Sequence, residues 1–353
     1  MDRPRFVRAG AALALAIAVS GCVGLGPQRL GIERSDYANR LRETGKEQLL
    51  LNLVAMRYGD APLFLDVTSV ISQYTREGSL HADVPISPPP NDTNGVIGGS
   101  VLLRETPTIT YAPLSGDRFA RSLLAPIPPA ALLAMIEAGW SAGDLFRLTV
   151  RSVNGVRNLA RSPLFVAGSD PAFIEITTAL DRLQRSGGLV LHVERGEHNS
   201  FTATASFSRT PSDEDRADLA FLRRALQLPG DGSDLSVIFA AGRTQPKQLA
   251  LGSRSMFEIF SEMAQGVELP AHERAGRATL GETADQDALP LVRIHSGEQR
   301  PADAHVAVHY RGSWFWIDGS DAASKRMFLI AQILLSLNDT SSAAAPLLTI
   351  PAG

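Results

Sequence analysis

The chain contains little cysteine and no excess of basic residues, and both shortages exclude classes of function. Cys22 is the one cysteine among 353 residues, so no disulfide can form within the chain and the sequence after it offers no thiol for catalysis. The formal net charge is −3, which argues against a nucleic-acid partner because such partners favour a basic surface. Hydrophobic residues make up 44% and charged residues 20%, a composition that indicates a globular protein.

Long apolar segments are also scarce, and the clearest one lies near the N-terminus. The apolar run Ala9–Val19 is only about half as long as a helix that crosses a bilayer. Arg3, Arg5 and Arg8 precede the run and small residues follow it, which is the order of a secretory signal peptide. We therefore expect residues 1–21 to be a cleaved signal peptide, whose removal leaves a slightly more acidic chain.

The end of this segment, Val19-Ser20-Gly21-Cys22, resembles the lipobox of bacterial lipoproteins. The resemblance implies cleavage between Gly21 and Cys22 and attachment of acyl chains such as palmitate to Cys22. Several chains on one residue anchor a protein stably, since each buried CH₂ contributes about 0.8 kcal/mol. In that family an Asp after the cysteine retains the protein in the inner membrane, so Val23 implies an outer-membrane protein that faces the periplasm. An ordinary signal peptide with a cysteine nearby is the alternative.

Hydrophobic periodicity and turn residues predict alternating helices and strands after the anchor. The first half contains a predicted tether at 22–33, a helix from an N-cap at Ser35 to Met56, strands at 64–71 and 108–111, a flexible loop at 85–100, helices at 117–124 and 130–138, and a strand at 145–153 before the turn Asn154–Gly155. The second half contains predicted helices at 171–185, 211–226, 256–264 and 322–337, strands at 189–194, 201–207, 235–240, 292–295, 304–310 and 313–317, and a flexible tail at 339–353.

This order of elements predicts an α+β fold with mixed or antiparallel sheets and packed helices. The length after the signal peptide allows one large domain or two medium ones. The weakest point in the chain is 158–163, which divides it into an N-terminal region at 34–160 and a C-terminal region at 161–338.

Three stretches of the chain resemble a set of proteobacterial envelope lipoproteins. The resemblance implies a place in the cell envelope and implies no activity. The stretches are 52–60 with 64–67, then 146–154, and finally 314–318 with 324–326.

Motifs for nucleophilic catalysis are missing from the sequence. Neither a G-x-S-x-G elbow nor an S-x-x-K with its supporting motifs is present, and the serines in Gly99-Ser100-Val101 and Gly252-Ser253-Arg254 fit ordinary loops. We therefore expect no enzymatic activity, and a hydrolase without a recognisable motif is the least favoured alternative.

Metal and cofactor sites are not predicted either. His305 and His309 alternate with Val306, Val308 and Tyr310, which is strand periodicity, and four strand residues span about 13 Å, too far for two ligands of one zinc. His192 and His198 flank a turn and could meet across a hairpin. The two Asp-Gly-Ser-Asp segments, 231–234 and 318–321, lack the twelve-residue loop that ends in Glu and fit turns and helix caps.

The most distinctive local cluster is Trp314-Phe315-Trp316-Ile317-Asp318, because it holds two of the three tryptophans. Trp314 and Trp316 lie on one side of a strand. They could pack on the following helix, 322–337, which is apolar nearly all round and is therefore expected to be buried. Alternatively they could form a platform for a glycan or a partner, together with Asp318, Asp321 and Arg326.

These observations predict a lipid-anchored envelope protein that works as a non-catalytic scaffold or accessory factor through contacts with other envelope proteins. The membrane, reached through lipid on Cys22, is a second expected partner, and nucleic acid is not expected. The alternative is a periplasmic module that binds a glycan or small ligand at Trp314 and Trp316.

Overall fold

The computed structural model describes residues 27–83, 96–162, 165–195, 201–208, 210–230, 234–242, 245–270, 272–273, 290–338 and 347–349. They form an α+β fold with two mixed sheets and an antiparallel sheet among the described strands, which confirms the predicted fold class. The predicted signal peptide, the cleavage site at Gly21 and Cys22, His198 and the Asp231–Ser233 segment lie outside the described residues. Of the helices that the structure describes, none combines the length and the apolar sequence that a membrane crossing requires.

The first half of the chain contains two long strands between helices. Its elements are α1 (Pro27–Arg57), β1 (Leu65–Asp83), β2 (Val96–Pro113), α2 (Gly116–Phe119) with a π-helical turn (Ala120–Leu124), α3 (Pro129–Glu137), α4 (Ala142–Thr149), β3 (Val150–Val153), β4 (Val156–Arg157), β5 (Ala160–Ser162) and β6 (Phe165–Ala167).

The second half contains shorter strands and four helices among its described residues. Its elements are α5 (Pro171–Ser186), β7 (Leu189–Arg195), β8 (Phe201–Phe207), α6 (Asp213–Ala225), β9 (Leu235–Phe239), β10 (Gln248–Ser253), α7 (Met256–Ala264), β11 (His295–Gly297), β12 (Ala304–Tyr310), β13 (Ser313–Asp318), α8 (Ala322–Asn338) and β14 (Leu347–Thr349).

The chain divides into two compact units, and each is assembled from three segments. The first contains 1–60, 161–166 and 261–332, and the second contains 61–160, 167–260 and 333–353. One crossing falls after Ala160, inside the segment 158–163 where the sequence predicts a boundary. The units are nevertheless discontinuous, so they differ from the contiguous regions 34–160 and 161–338.

The second unit is built on a six-stranded sheet with the order β4-β3-β10-β9-β8-β7. Neighbouring strands are antiparallel except β9 and β10, which run parallel. Helices α3, α4 and α5 pack against strands of this sheet, and α6 packs on α5. An apolar core forms between the helices and the sheet. Its fully buried side chains include Leu145, Phe173 and Leu251.

One carboxylate joins two helices of this unit. Asp181 on α5 accepts a hydrogen bond of 2.7 Å from the Ser141 hydroxyl, which in turn caps α4 by accepting from the Asp144 amide. Arg185 donates to the same carboxylate. Burial raises the pKa of Asp181, but the hydrogen bonds from Arg185 and Ser141 outweigh it and hold the pKa below its usual value.

A long two-stranded ribbon, β1 with β2, also belongs to the second unit. The strands pair antiparallel from Leu65–Pro113 to Asp83–Val96, with one bulge between Val67 and Ser69. The short strand β14 pairs parallel with β1 at residues 69–71, which gives the order β14-β1-β2.

The first unit is built on a three-stranded antiparallel sheet with the order β11-β13-β12. Helix α1 packs along β12. The burial of β13 alternates strictly, so Phe315 and Ile317 enter the core while Trp314 and Trp316 lie on the other side. On α8, the Phe328 ring meets the His305 ring edge-on, with centroids 6.3 Å apart.

The main error of the sequence prediction is at 145–149, which is helix and not strand. Ser141 begins α4 as an N-cap, and the apolar residues of 145–149 form a buried helix face. The C-terminal carbonyls of α4 are then bonded by distant side chains. Asn158 donates to the Arg147 carbonyl at 3.0 Å, and the buried Arg254 donates to Arg147 and Leu148 at 3.2 and 3.0 Å.

Several boundaries also differ from the prediction. Helix α1 begins at Pro27, so Ser35 lies inside it and residues 27–33 of the predicted tether are helical. Residues 96–100 of the predicted loop belong to β2, and residues 347–349 of the predicted tail form β14. Gly252 and Ser253 were predicted to lie in a loop, but they belong to strand β10. Helix α8 is not buried all round, since Leu329 and Leu337 are 47% and 56% exposed.

Candidate functional site: an aromatic face on the three-stranded sheet

The outward side of the sheet β11-β13-β12 carries two half-exposed tryptophans and several charged or imidazole side chains. We call this surface the aromatic face; its members are Glu268, His295, Arg300, His309, Trp314, Trp316 and Asp318. Cross-strand pairing brings its central residues together, because His309 lies opposite Trp314 and His295 lies opposite Trp316. All of them belong to the first unit.

Trp314 is held between a histidine and an arginine. The His309 ring meets the indole edge-on, with ring centroids 5.4 Å apart and an angle of 62° between the planes. The guanidinium carbon of Arg300 lies 5.5 Å from the indole centroid, a cation–π distance. His309 and Arg300 are both exposed, so this end of the face is accessible, and the Arg300 guanidinium gives it a positive charge.

Trp316 lies at the other end of the face, over a glycine. A Cβ on Gly297 would come within 3.2 Å of the indole, so glycine at this position gives the ring its space. The His295 ring lies 5.8 Å away by centroids and is tilted by 37°. His295 is in turn held by Glu268, with 3.0 Å between Nδ1 and Oε2.

Asp318 lies on the aromatic face, whereas Asp321 caps helix α8 and Arg326 lies on that helix. The Asp318 carboxylate accepts from the Ser320 hydroxyl and amide, and these bonds together with the charge of His295 lower its pKa. Asp321 accepts from the Ser324 amide at 3.0 Å and so caps α8. Arg326 is exposed on α8. The turn and cap roles expected for 318–321 are therefore confirmed.

A cluster at the end of helix α1 fixes the turn between β12 and β13. Asp60 accepts hydrogen bonds from the Tyr310 hydroxyl and, at 2.8 Å, from Arg311 Nη2. The hydrogen bond from Tyr310 lowers the pKa of Asp60, while burial and the same bond raise the pKa of Tyr310. Arg311 and Gly312 have φ angles of 46° and 86°, as a tight two-residue hairpin turn requires.

Two close backbone approaches complete the support of this sheet. A Cβ on Gly266 would lie 1.7 Å from the Val292 carbonyl oxygen, and one on Gly319 would lie 2.3 Å from the Asp303 oxygen. Gly319 also donates its amide to Asp303 at 3.0 Å. Only glycine fits at either position without moving the backbone.

His305 and His192 do not contribute to this surface. His305 is half-buried, and burial together with Lys46 and Lys325 lowers its pKa, whereas His309 is exposed. His192 lies exposed on β7, 3.1 Å from Glu194. In the part of the chain that the structure describes, no three His, Asp or Glu side chains converge in a way that could hold a metal ion.

A cavity in the second unit also carries no chemistry. It lies between the helices and the six-stranded sheet, and its walls are entirely apolar: Leu133, Ile136, Ala142, Phe146, Val153, Leu180, Leu189, Leu191, Ala205, Phe207, Leu226 and Leu249. Such a space offers no group that could transfer a proton or attack a substrate.

The sequence singled out three of the seven members of the aromatic face. It did not identify Glu268, His295, Arg300 or His309 as their neighbours, because strand register decides those contacts. The placement of His295 and His309 in predicted strands was the signal that could have pointed to them.

No protein-family model, curated protein or solved structure matches this chain.

Proposed function

We propose that this chain is a lipid-anchored envelope protein that acts without catalysis, by binding another envelope protein through the aromatic face. The observation that carries the proposal is the group Trp314, Trp316, Arg300 and His309 on one accessible sheet surface. Tryptophan and arginine are enriched among the residues that dominate binding energy at protein interfaces.

The charge of the face suggests what the partner presents. The carboxylates of Glu268 and Asp318 already bond to His295 and Ser320, while Arg300 extends from the exposed edge with the Trp314 ring beneath it. A protein surface with an acidic side chain opposite Arg300 and an apolar group against the indoles complements this arrangement.

Helix α1 supports the proposed anchoring at Cys22. It begins five residues after that cysteine, and nearly all of residues 35–45 are exposed. Residues 27–45 of a helix span about 28 Å, since each residue rises about 1.5 Å. We propose that this segment spaces the first unit from the outer membrane into the periplasm. Cys22→Ser then abolishes acyl labelling and leaves an unprocessed precursor, and labelling that persists contradicts the anchor.

Glycan binding at the same tryptophans is the second candidate. Its support is Asp318, which lies on the same side as both indoles and could bind hydroxyl groups. Stacking on a sugar needs an open ring face, however, and Arg300 covers one face of Trp314. The protein-binding proposal does not require that cation–π contact to break, so we favour it.

The experiment that tests the proposal is chemical cross-linking of the tagged, lipidated protein in its native envelope, followed by mass spectrometry. We expect one envelope protein in stoichiometric amounts, and we expect Arg300→Glu to reduce its recovery by about tenfold, as a rim charge reversal of about 1.4 kcal/mol does. Glu175→Arg, an exposed reversal on α5, serves as the matched control and should leave recovery unchanged. Equal recovery with all three proteins contradicts the proposal.

A further inference from the structure

The ribbon of β1 and β2 leaves long stretches of strand edge open in the described chain. β14 covers the outer side of β1 only at 69–71, and β2 is the edge strand of the order β14-β1-β2. No described strand pairs with the outer side of β1 along 72–83 or with the outer side of β2 along 96–109.

An edge of this length is unusual for a protein that stays alone. Strands of 19 and 18 residues reach about 60 Å, since each strand residue rises about 3.3 Å. A two-stranded ribbon is marginally stable in water, and an open edge is a template for pairing with another chain. Neither strand contains a lysine, one of the residues that protect such edges, and a single proline, Pro107, lies within residues 96–109 of β2.

We propose that β2 of one copy pairs along its outer edge with β1 of a second copy, so that the ribbons join into a homo-oligomer. The two open edges belong to the same ribbon, have similar lengths and run antiparallel. A second copy can therefore continue the sheet in the order β1-β2-β1-β2, with every neighbouring pair of strands antiparallel. This contact joins two different surfaces, and repeating it produces a ring or an open array. This contact does not involve the aromatic face.

Pro107 shows which amides point to the open edge. The ladder continues through the pair Ser72–Pro107, although proline has no N–H. A proline is accepted inside a ladder where its nitrogen points away from the paired strand. Amide directions alternate along a strand, so the nitrogen of Leu103, four residues earlier, points the same way as that of Pro107. The Leu103 amide therefore points to the open edge, where no described strand pairs with β2.

The test compares Leu103→Pro with Leu103→Val in the full-length lipidated protein in detergent. Both variants change the side chain, but only proline removes the amide that the contact uses. We expect native mass spectrometry to show oligomers for the wild type and Leu103→Val. Leu103→Pro should need an at least roughly fivefold higher protein concentration to assemble, as the loss of one interstrand hydrogen bond implies.

Hydrogen exchange on the unaltered protein keeps the test decisive if the proline variant fails to fold. We expect the amides of 96–109 to become more protected as the protein concentration rises through the assembly range. A wild-type monomer at every concentration overturns the proposal, as does an equal shift in assembly for both variants. Protection that appears only with a different protein also overturns it.

Discussion

Arg254 is expected to be essential for the second unit, because it bonds the end of helix α4 from a buried position. Its side chain is 2% exposed, and it donates to the carbonyls of Arg147, Leu148 and Leu159. The last carbonyls of a helix have no partners within the helix, and a cation near them also interacts well with the helix dipole. Replacing Arg254 therefore leaves the Leu148 and Leu159 carbonyl oxygens without this donor, while the Arg147 carbonyl keeps its bond from Asn158.

The magnitude of this loss follows from those bonds. A hydrogen bond to a charged group contributes about 1.5–3 kcal/mol, and the contributions of bonds that share one donor group are not additive. We expect Arg254→Met to lower the free energy of unfolding by about 3–5 kcal/mol. Arg254→Lys keeps the charge but not the planar fork, so we expect about half of that loss.

Urea unfolding of the purified mature chain measures both effects. Unfolding is followed by far-ultraviolet circular dichroism, which reports on the helices of both units. The slope of the free energy of unfolding with urea concentration should stay the same for a loss of stability alone. A loss below about 1 kcal/mol for Arg254→Met would show that these bonds do not stabilise the fold, because removing a buried group with such bonds normally costs more. A Lys variant as unstable as the Met variant would show that charge makes no contribution.

Three further predictions concern side chains whose surroundings are explicit. Phe315→Ala should lower the free energy of unfolding by about 3–5 kcal/mol, because Phe315 lies on the buried side of its sheet. His309→Ala should lower it by less than about 1 kcal/mol, because His309 lies on the exposed side of the same sheet. Equal losses in denaturant titrations would contradict this prediction. Gly266→Ala should prevent folding of the first unit, since its Cβ would lie 1.7 Å from a backbone oxygen. Gly45→Ala, on the exposed part of α1, should instead raise the melting temperature slightly. Soluble expression tests the first variant and calorimetry tests the second. The pKa of Asp181 in the folded protein lies below its unfolded value of about 3.9, so the carboxylate stabilises the fold above about pH 4. That contribution is lost as the pH falls through the folded pKa. Urea unfolding should therefore show that Asp181→Asn loses less stability between pH 7 and pH 3 than the wild type does.

Local signals in the sequence predicted many elements well. Asp170 and Pro171 begin α5 and Gly187 ends it in the left-handed conformation, as expected from capping chemistry. The acidic first turn of α6 follows a complete capping box at Ser212. Such signals operate within a few residues, so they can be read without knowing the fold.

Long-range contacts explain what the sequence did not predict. Helix α4 ends where Asn158 and Arg254 bond its carbonyls, and the latter residue is more than one hundred positions away. Strand register likewise decides that His309 faces Trp314 and that His295 faces Trp316. The sequence therefore singled out Trp314, Trp316 and Asp318 of the candidate site but not the other side chains that surround the two indoles.

The most direct test of the central claim places a photoreactive amino acid at position 309 of the lipidated protein in living cells. His309 is exposed and lies beside Trp314, so the probe reports on the aromatic face alone. We expect irradiation to join the probe to one envelope protein, and we expect no such product from the same probe at exposed Glu175 on α5. A product at neither position, or the same product at both, would contradict binding through the aromatic face.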